Sequence, residues 1–370
     1  MGASLADCRP AGPDLFFFAP LSAPSAEECD VTLDDAVALS LVPDLPRIGL
    51  TERLHGEDPA LLELAAPHRE RAREVRARAA RDGISLIAWN DSVFPAGLHA
   101  ISDMPPVLWY RGALDALDAP AVAIVGSRAA SAVALETAAQ LGEDLAAFGI
   151  TVISGLARGV DSAAHRGALR TGRTIAVLGS GVDRVYPHEH RGLAREVASR
   201  GLVVSEFAPG TPPLKYHFPL RNRVISGLSR AVVVIEASEK SGSLITAACA
   251  LEQGRDVMAV PGNVLSGRNR GGHALIRDGA TIVEGANDIV EELGLFPPAP
   301  GGPEKSSNEA GSTTSPDPLL RMMDVGHPYD LEALASASGV HGVRLLPRLL
   351  DLELKGFLRR ISGGRFMRPV

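Results

Sequence analysis

The chain has 370 residues, 45% of them hydrophobic, and a formal net charge of −7 at pH 7. This length suffices for roughly two or three domains with their own cores. No apolar run is long enough to span a bilayer, so we expect a protein that is neither inserted in a membrane nor exported. The acidic balance argues against indiscriminate coating of nucleic acid, but it leaves room for a local basic groove.

The three cysteines favour a reducing compartment. Cys8, Cys29 and Cys249 are odd in number, far apart and without the paired spacing of metal ligands. Disulfides are rare in the cytosol, where thiols stay reduced. We therefore predict a cytoplasmic protein, and we predict no metal site.

The N-terminal part divides into two segments. Residues 1–30 are rich in proline and alanine and lack periodicity, which predicts a poorly ordered N-terminus. Residues 31–82 show apolar residues at helical spacing, interrupted by prolines, and predict a small helical domain. Within it, residues 70–81 are mostly Arg, Ala and Glu, a composition typical of a solvated helix face.

Residues 83–296 alternate between apolar, β-branched runs and helical segments. The apolar runs lie at 84–89, 107–110, 121–125, 150–153, 174–178, 202–204, 231–235, 256–260 and 280–283. The helical segments lie around 130–148, 160–171, 189–200, 220–229, 243–253, 273–278 and 287–294. Such an alternation predicts an α/β fold with a doubly wound, mainly parallel, Rossmann-like sheet covered on both faces.

The C-terminal part begins with a linker. Residues 297–318 are rich in Pro, Gly and Ser and predict a flexible connection. Residues 319–370 contain two or three short helical patterns and a terminal hairpin pattern, which we interpret as a winged helix-turn-helix. From Lys355 to the end the chain has five cations and no acid, as expected of a wing that touches DNA backbone. A wing that mediates only protein contacts is the alternative.

Four predicted strands end in polar glycine turns. These turns lie at 126–128, 154–159, 178–181 and 239–246. A strand that ends in Gly and opens a helix presents free N–H groups and the positive end of the helix dipole to a phosphate. After the first of these strands, Ser127 can add a hydroxyl, and Arg128 can clamp two phosphate oxygens. Together, these four turns at one edge of the sheet predict a binding site for a phosphate-rich ligand.

Nucleotide cofactors are not predicted at these turns. The chain has no Gly-x-x-x-x-Gly-Lys-Ser/Thr, which argues against a P-loop nucleotide triphosphatase. Gly179 and Gly181 lack the third glycine of a dinucleotide fingerprint and follow the third regular strand rather than the first. Asp161 and His165 are four residues apart on a predicted helix, but no third metal ligand is near in sequence, so we expect His165 to pack or cap.

Residues 215–223 combine cations with aromatic rings. No acidic residue lies between Glu206 and Glu236, while Lys215, Tyr216, Phe218, Arg221 and Arg223 fall in that window. Aromatic rings can stack on bases while cations neutralise phosphates, the combination that single-stranded nucleic acid requires. The alternative is a basic surface loop that carries two core aromatics. A second basic loop, with Arg268, Arg270 and Arg277, is either a neighbouring rim or simply solvated.

Seven motifs occur in a specific order and spacing. They are Ile124–Arg128, Ser154–His165, Thr174–Gly181, Ser205–Phe207, Lys215–Arg223, Ser241–Thr246 and Gly254–Gly262. With these motifs, residues 84–295 resemble the DNA-processing protein A (DprA/Smf) family. The helical segment 31–82 is similar to the SAM-like module of that family, although Val42–Pro46 lacks its glycine hairpin. The tail resembles the DML1-like winged-helix domain of some members.

The resemblance implies a Rossmann-like core that binds single-stranded DNA, forms a homodimer through about residues 265–295, and loads the RecA recombinase during natural transformation. It implies no catalysis, no cofactor and no membrane contact, and it leaves open whether the tail contacts duplex DNA. Gly126, Ser127 and Arg128 would hold one backbone phosphate, Lys215 would pair with another, and Phe218 would stack on a base. The groove would be extended by the motif residues Arg221, Asn222, Arg223, Ser241, Gly242, Ser243 and Thr246. His188 and His190 stand where relatives often have Lys and Asn.

Two other functions remain open on the sequence. One is a nucleoside-monophosphate hydrolase of the related lysine-decarboxylase-like group, but Ser241–Thr246 lacks the carboxylate that group carries after its glycine loop. The other is a winged-helix transcription regulator whose α/β core senses a ligand.

Overall fold

The computed structural model describes residues 31–295, except 44 and 48, together with part of the C-terminal region. The described C-terminal residues are 320, 322–323, 327–331, 334, 345, 349, 352–353, 357–361 and 365–368. The chain separates into two compact units, Met1–Pro300 and Gly301–Val370. The predictions for residues 1–30 and 297–318 lie outside the described residues. No helix among the described residues is both long and apolar enough to cross a bilayer.

In the described region before the sheet, from residue 31 on, there are four α-helices, and all lie within the segment predicted as helical. They are α1 (Leu33–Ser40), α2 (Leu50–His55), α3 (Pro59–Ala65) and α4 (Arg69–Arg81). Helix α1 starts at a capping box, in which the Thr32 hydroxyl accepts from the Asp35 N–H and the Asp35 carboxylate accepts from the Thr32 N–H. Val37 and Leu39 of α1 are fully buried in the same apolar cluster as Trp109 of the sheet. The helical layer therefore shares a core with the sheet.

Nine strands form one sheet. They are β1 (Ser85–Ala88), β2 (Val107–Gly112), β3 (Ala121–Val125), β4 (Thr151–Ser154), β5 (Thr174–Val177), β6 (Leu202–Ser205), β7 (Ala231–Val234), β8 (Asp256–Ala259) and β9 (Thr281–Ile282). Their order is β1-β2-β6-β5-β4-β3-β7-β8-β9. Strands β3 to β9 pair in parallel, and β1 and β2 add an antiparallel edge. The predicted mainly parallel, Rossmann-like sheet is confirmed.

Eight helices connect or flank the strands. They are α5 (Ala96–His99), α6 (Ala132–Ala147), α7 (Val160–Thr171), α8 (Arg191–Arg200), α9 (His217–Gly227), α10 (Ser243–Glu252), α11 (Arg270–Arg277) and α12 (Ala286–Glu292). Helix α9 begins three residues before the predicted position, because Pro219 falls in the first turn, where a missing N–H leaves no hydrogen bond unmade. Most of the cationic and aromatic motif is therefore helical rather than a loop.

Both faces of the sheet are covered, as the continuous apolar strands predict. Val122 and Ile124 of β3 belong to a cluster with α6, α7 and α12 residues. Ala123 and Val125 point the other way, into a cluster with Val224 of α9 and residues of α10. This alternation follows from the two-residue period of a strand. Because both faces are buried, only the ends of the strands are open to a ligand.

The described part of the second unit has a small antiparallel sheet. Its strands are β10 (Pro328–Tyr329), β11 (Arg359–Ile361) and β12 (Arg365–Met367), in the order β10-β12-β11. Buried Leu345, Leu349 and Phe366 belong to its apolar core. The winged-helix interpretation of this unit stays a prediction.

Candidate nucleic-acid interface

A groove opens where the winding of the sheet reverses. From β3 the chain continues to β4, β5 and β6 on one side, whereas β7 lies on the other side of β3 and leads to β8 and β9. Ligands of such sheets bind at this switch point, beyond the carboxyl ends of the strands. The groove has a volume of about 650 Å³ and is lined by residues that follow Val125 of β3 and Val234 of β7. The fold thus places it where a ligand is expected.

The groove brings together eleven of the twelve residues that the sequence singled out. These are Gly126, Ser127, Arg128, Lys215, Phe218, Arg221, Asn222, Ser241, Gly242, Ser243 and Thr246. The twelfth, Arg223, lies elsewhere. Its side chain is buried, with Nη2 2.5 Å from Glu206 Oε2 and Nε 3.0 Å from Asp103 Oδ2. Two residues turn a helix by about 200°, so Arg221 and Arg223 of α9 must point in nearly opposite directions.

The turn after β3 is held by backbone hydrogen bonds. The Ser127 N–H donates to the Glu236 carbonyl at 2.7 Å, and the Ser127 carbonyl accepts from the Val160 N–H at 3.2 Å. At Gly126 a side chain would collide with Val160, since a Cβ would lie 2.6 Å from its Cγ2. Of the N–H groups that this geometry would present, that of Ser127 is therefore occupied by the protein itself. The exposed Arg128 side chain remains available to a phosphate at this turn.

The start of α6 is also occupied by protein groups. The Ser131 hydroxyl caps the helix by accepting from the Ala134 N–H at 3.2 Å. The Glu236 carboxylate accepts from both the N–H and the hydroxyl of Ser131. An acid already lies at the positive end of this helix, which is where an anion is stabilised. The dipole of α6 is thus not available to a ligand.

Exposed cations lie beside aromatic rings at the groove wall. The Arg128 guanidinium carbon lies 5.3 Å from the centroid of the Phe218 ring, within cation–π range. The Tyr186 ring lies 5.6 Å from Phe218 on a separate loop, and Lys215 is exposed. None of the ion pairs among the described residues involves Arg128 or Lys215. Both charges are therefore free to neutralise phosphates.

The turn between β7 and α10 offers hydroxyl groups and open space. The Ser241 and Ser243 hydroxyls lie 2.7 Å apart, and no heavy atom lies within 4 Å of a Cβ built on Gly242. The Asn222 side-chain amide donates to the Gly242 carbonyl at 3.4 Å, which ties this turn to α9. A backbone phosphate can approach the chain closely at Gly242.

Below the groove lies a buried pair of opposite charges. The Asp161 carboxylate accepts from the N–H groups of Gly155 and Ala157, at 3.1 and 3.3 Å. The Arg221 guanidinium donates to the Val177 carbonyl and presses against Gly155 so closely that no side chain would fit there. Burial lowers the pKa of Arg221 to about 10, which still leaves it charged at neutral pH. Burial raises the pKa of Asp161, an effect that the Arg221 charge opposes.

His165 packs in the interior, away from any ligand. It is fully buried on α7, and its Nδ1 lies 2.7 Å from the Thr174 hydroxyl. Burial lowers the pKa of His165 to about 3, so the ring is neutral. Of the neighbouring histidines, His190 is buried and bonded to the Leu156 carbonyl at 2.8 Å, whereas His188 is exposed. Among the described residues, no three potential metal ligands cluster.

Several lining residues were missed by the sequence analysis. Asp161, Tyr186, Ile225 and Ile245 all line the groove. Tyr186 had a signal, since it is an aromatic residue in the glycine-containing segment that follows β5. Ile225 had one too, because it lies on the same helical face as Phe218 and Arg221. The second basic loop does lie beside the turn after β3, where Arg268 Nη1 donates to the Ala129 carbonyl at 3.0 Å.

Comparisons with known proteins agree on one family. The family model described as DNA recombination-mediator protein A matches residues 85–294. The chain is 41% identical to Protein Smf of Escherichia coli K12 over 286 residues, 75% of this chain and 76% of the relative. It is 46% identical to DNA processing protein DprA of Streptococcus pneumoniae R6 over 204 residues, 55% of this chain and 72% of the relative.

Solved structures show the same relationship. The X-ray structure of DNA processing protein A from Streptococcus pneumoniae aligns with a TM-score of 0.62 and 36% identity, covering 70% of this chain and 98% of that one. A Helicobacter pylori DNA processing protein A, solved to describe its unique single-stranded DNA binding mode, aligns with a TM-score of 0.52 and 28% identity. That match covers 57% of this chain and 95% of the other.

Proposed function

Because this chain belongs to the DNA recombination-mediator protein A family, we propose that it takes part in DNA processing by binding single-stranded DNA in the groove at the ends of β3 and β7. The observation that carries the proposal is the pairing of free cations with aromatic rings. Arg128 and Lys215 have no ion-pair partner among the described residues, and they line the groove together with Phe218 and Tyr186.

The chemistry of the groove fits a strand rather than a small nucleotide. Phosphates bind to the two cations and to the hydroxyls of Ser241 and Ser243, while bases stack on the rings. This mode needs no base-specific hydrogen bond, so the proposed binding is tolerant of sequence. Arg223 takes no part, since it is buried among carboxylates.

We further propose that the protein acts by binding and not by catalysis. Asp161 is the one acid among the described residues that line the groove, and two backbone N–H groups hold its carboxylate. A general acid or base must reach the proton that it transfers. A nucleoside-monophosphate hydrolase would release free base from nucleoside monophosphates, and we expect no such release in a chromatographic assay.

The proposal extends to a homodimer in the cytoplasm that delivers RecA to the bound strand. Exposed apolar side chains support the dimer: Val264 and Leu265 are 74% and 92% exposed in the turn before α11. Such side chains mark contact sites when they cluster. Sedimentation that shows only a monomer at micromolar concentration would contradict the dimer. An unchanged lag in RecA filament assembly on the strand would contradict the delivery.

The test of DNA binding is fluorescence anisotropy of labelled oligo-dT over a series of salt concentrations. In the double variant Arg128→Ala and Lys215→Ala, we expect weaker binding and a log–log salt slope smaller in magnitude by roughly 1.4, at about 0.7 per phosphate contact on single strands. The control variant Arg73→Ala and Arg170→Ala loses the same charge at exposed positions away from the groove. Equal slopes for the two variants would reject the groove as the binding site.

A further inference from the structure

A second cationic cleft lies on the N-terminal side of the sheet. It has a volume of about 390 Å³ and separates α4 from the loop that follows β6. Three exposed arginines, Arg71, Arg78 and Arg184, line it, and none of the described residues that line it is acidic. The opposite wall is the uncharged segment 208–212, Ala-Pro-Gly-Thr-Pro. The cleft thus presents three cations and, in the part of the chain that the structure describes, no acidic lining side chain.

Helix α4 uses its arginines in two different ways. On one face Arg69, Arg73 and Arg76 form ion pairs with the acids of α1, Asp34 and Asp35. On another face Arg71, Val75 and Arg78 follow the spacing i, i+4, i+7 and form one stripe along the cleft. The sequence predicts only a solvated helix face here. Solvation alone does not explain why Arg71 and Arg78 line a concave space together with Arg184.

Two acids form ion pairs with arginines of the cleft, and both pairs are weak. Arg78 Nε lies 3.9 Å from Asp82 Oδ2, and Arg184 Nε lies 3.6 Å from Asp183 Oδ2. Both distances are at the long end for ion pairs, and surface pairs of this kind contribute little to stability. Asp183 is also engaged by the Gly210 N–H at 2.8 Å. Arg71 forms no ion pair among the described residues, so the cleft keeps a positive balance.

The cleft and the groove share two walls. One loop lines the cleft at residues 208–212 and reaches the groove at Lys215. A second loop lines the cleft at Arg184 and the groove at Tyr186. Pro212 and Lys215 are three residues apart, so they are separated by at most about 11 Å of chain. That distance corresponds to at most roughly three nucleotides, since 3.4 Å is the rise per nucleotide of a fully stacked strand.

We propose that the cleft binds backbone phosphates of a single strand that leaves the groove past Lys215, so that α4 is a second DNA contact. That the ligand of the cleft is single-stranded DNA rests on the proposed function, whereas the presence of the cationic cleft does not. Its ligand chemistry is that of a phosphate group, which a free phosphate ion shares with a nucleic-acid backbone.

The test compares two strand lengths. Oligo-dT of about 6 and about 16 nucleotides, both within the range of single-strand site sizes, are titrated by anisotropy over a salt series. In the variant Arg71→Gln and Arg184→Gln, we expect the slope for the longer strand to fall in magnitude by roughly 1.4 and the slope for the shorter strand to stay unchanged. Arg71→Lys with Arg184→Lys should restore the slope, because a phosphate contact needs only the charge. The control is Arg73→Gln with Arg170→Gln.

Each outcome decides the proposal. A slope for the longer strand that equals that of the control overturns the second contact but leaves the groove intact. If the variant loses binding of inorganic pyrophosphate by calorimetry while the slope for the longer strand is unchanged, the cleft is a site for a free anion and the strand path is wrong. If the wild type binds neither oligonucleotide, the proposed function and the strand path fail together. All substituted side chains are exposed, and matching circular-dichroism melts verify that the variants are folded.

Discussion

Phe218 is the side chain on which the stacking argument depends. Its ring centroid lies 5.3 Å from the Arg128 guanidinium carbon and 5.6 Å from the Tyr186 ring, and the ring packs against Gly179, where a Cβ would lie 3.0 Å from Phe218 Cδ1. The glycine therefore lets the ring lie close to the turn after β5. A ring fixed in this way offers a base a stacking partner with little loss of side-chain entropy.

We expect Phe218→Ala to weaken oligo-dT binding by about 1–3 kcal/mol, which is roughly 5- to 150-fold. The salt slope should not change, because no phosphate contact is lost. Anisotropy over a salt series measures both quantities. Phe218→Trp serves as the control. It keeps an aromatic ring, so it should bind oligo-dT about as well as the wild type. An unchanged affinity for Phe218→Ala would show that the ring is a packing residue only.

At the residue scale, the cationic side chains of the groove were easier to predict from the sequence than the backbone N–H groups that are free to bind a ligand. Arg128 stands out in the sequence because it follows a strand end, and Lys215 because it lies beside aromatic residues. The Ser127 N–H looks free in the sequence, since its partner, the Glu236 carbonyl, is 109 residues away and reaches it only through the pairing of β3 with β7. Hydrogen bonds between distant strands carry no local signal.

Helix α9 is an element with two functions on two faces. Phe218, Arg221, Asn222 and Ile225 face the groove. Arg223 faces the opposite way, where Glu206 Oε2 also accepts from Arg47 Nη1 at 2.6 Å. Because Arg47 comes from the segment between α1 and α2, this cluster ties the helical layer to the sheet. The motif Arg-Asn-Arg thus combines one ligand-side arginine with one structural arginine.

We expect Arg223→Ala to destabilise the fold by about 3–5 kcal/mol, since it leaves the buried Glu206 carboxylate without its closest partner. Urea unfolding monitored by circular dichroism measures the change. The control Arg47→Ala removes a partner that is 30% exposed and should cost less. Folded Arg223→Ala protein should keep the wild-type salt slope on oligo-dT. A stable variant with a lower slope would instead place Arg223 at the DNA.

At the scale of the whole molecule, the sheet was predictable because its strands are buried on both faces. Runs such as Ala121–Val125 and Ala231–Val234 read as continuous apolar segments, which are typical of parallel strands under helices. The order of the strands was not predictable residue by residue, because it depends on which faces pack. The groove follows from that order. The residue types in the sequence were enough to identify most of the residues that line the groove. These residues come together because the strand order changes direction between β3 and β7.

The buried interior also makes the stability of the whole fold depend on pH. His165 is enclosed between α7 and β5, and its Nε2 has no hydrogen-bond partner among the described residues. Burial, together with the nearby Arg221 charge, lowers its pKa from 6.5 to about 3. Above pH 6.5 the ring is neutral in both the folded and the unfolded chain. Below pH 6.5 the unfolded chain binds a proton that the folded chain does not, so unfolding becomes easier as the pH falls.

We therefore expect the free energy of unfolding to fall between pH 6.5 and about 3 by up to about 1.4 kcal/mol per pH unit on account of His165 alone. Other groups also titrate in this range, so the effect of His165 is obtained as the difference between the wild type and a variant that lacks this histidine. Urea unfolding of wild type and His165→Gln is compared at several pH values, since Gln can still bond to the Thr174 hydroxyl. The variant should lose less stability on acidification. Parallel curves for the two proteins would mean that His165 accepts a proton in the folded state, in a more polar setting than its burial on α7 allows.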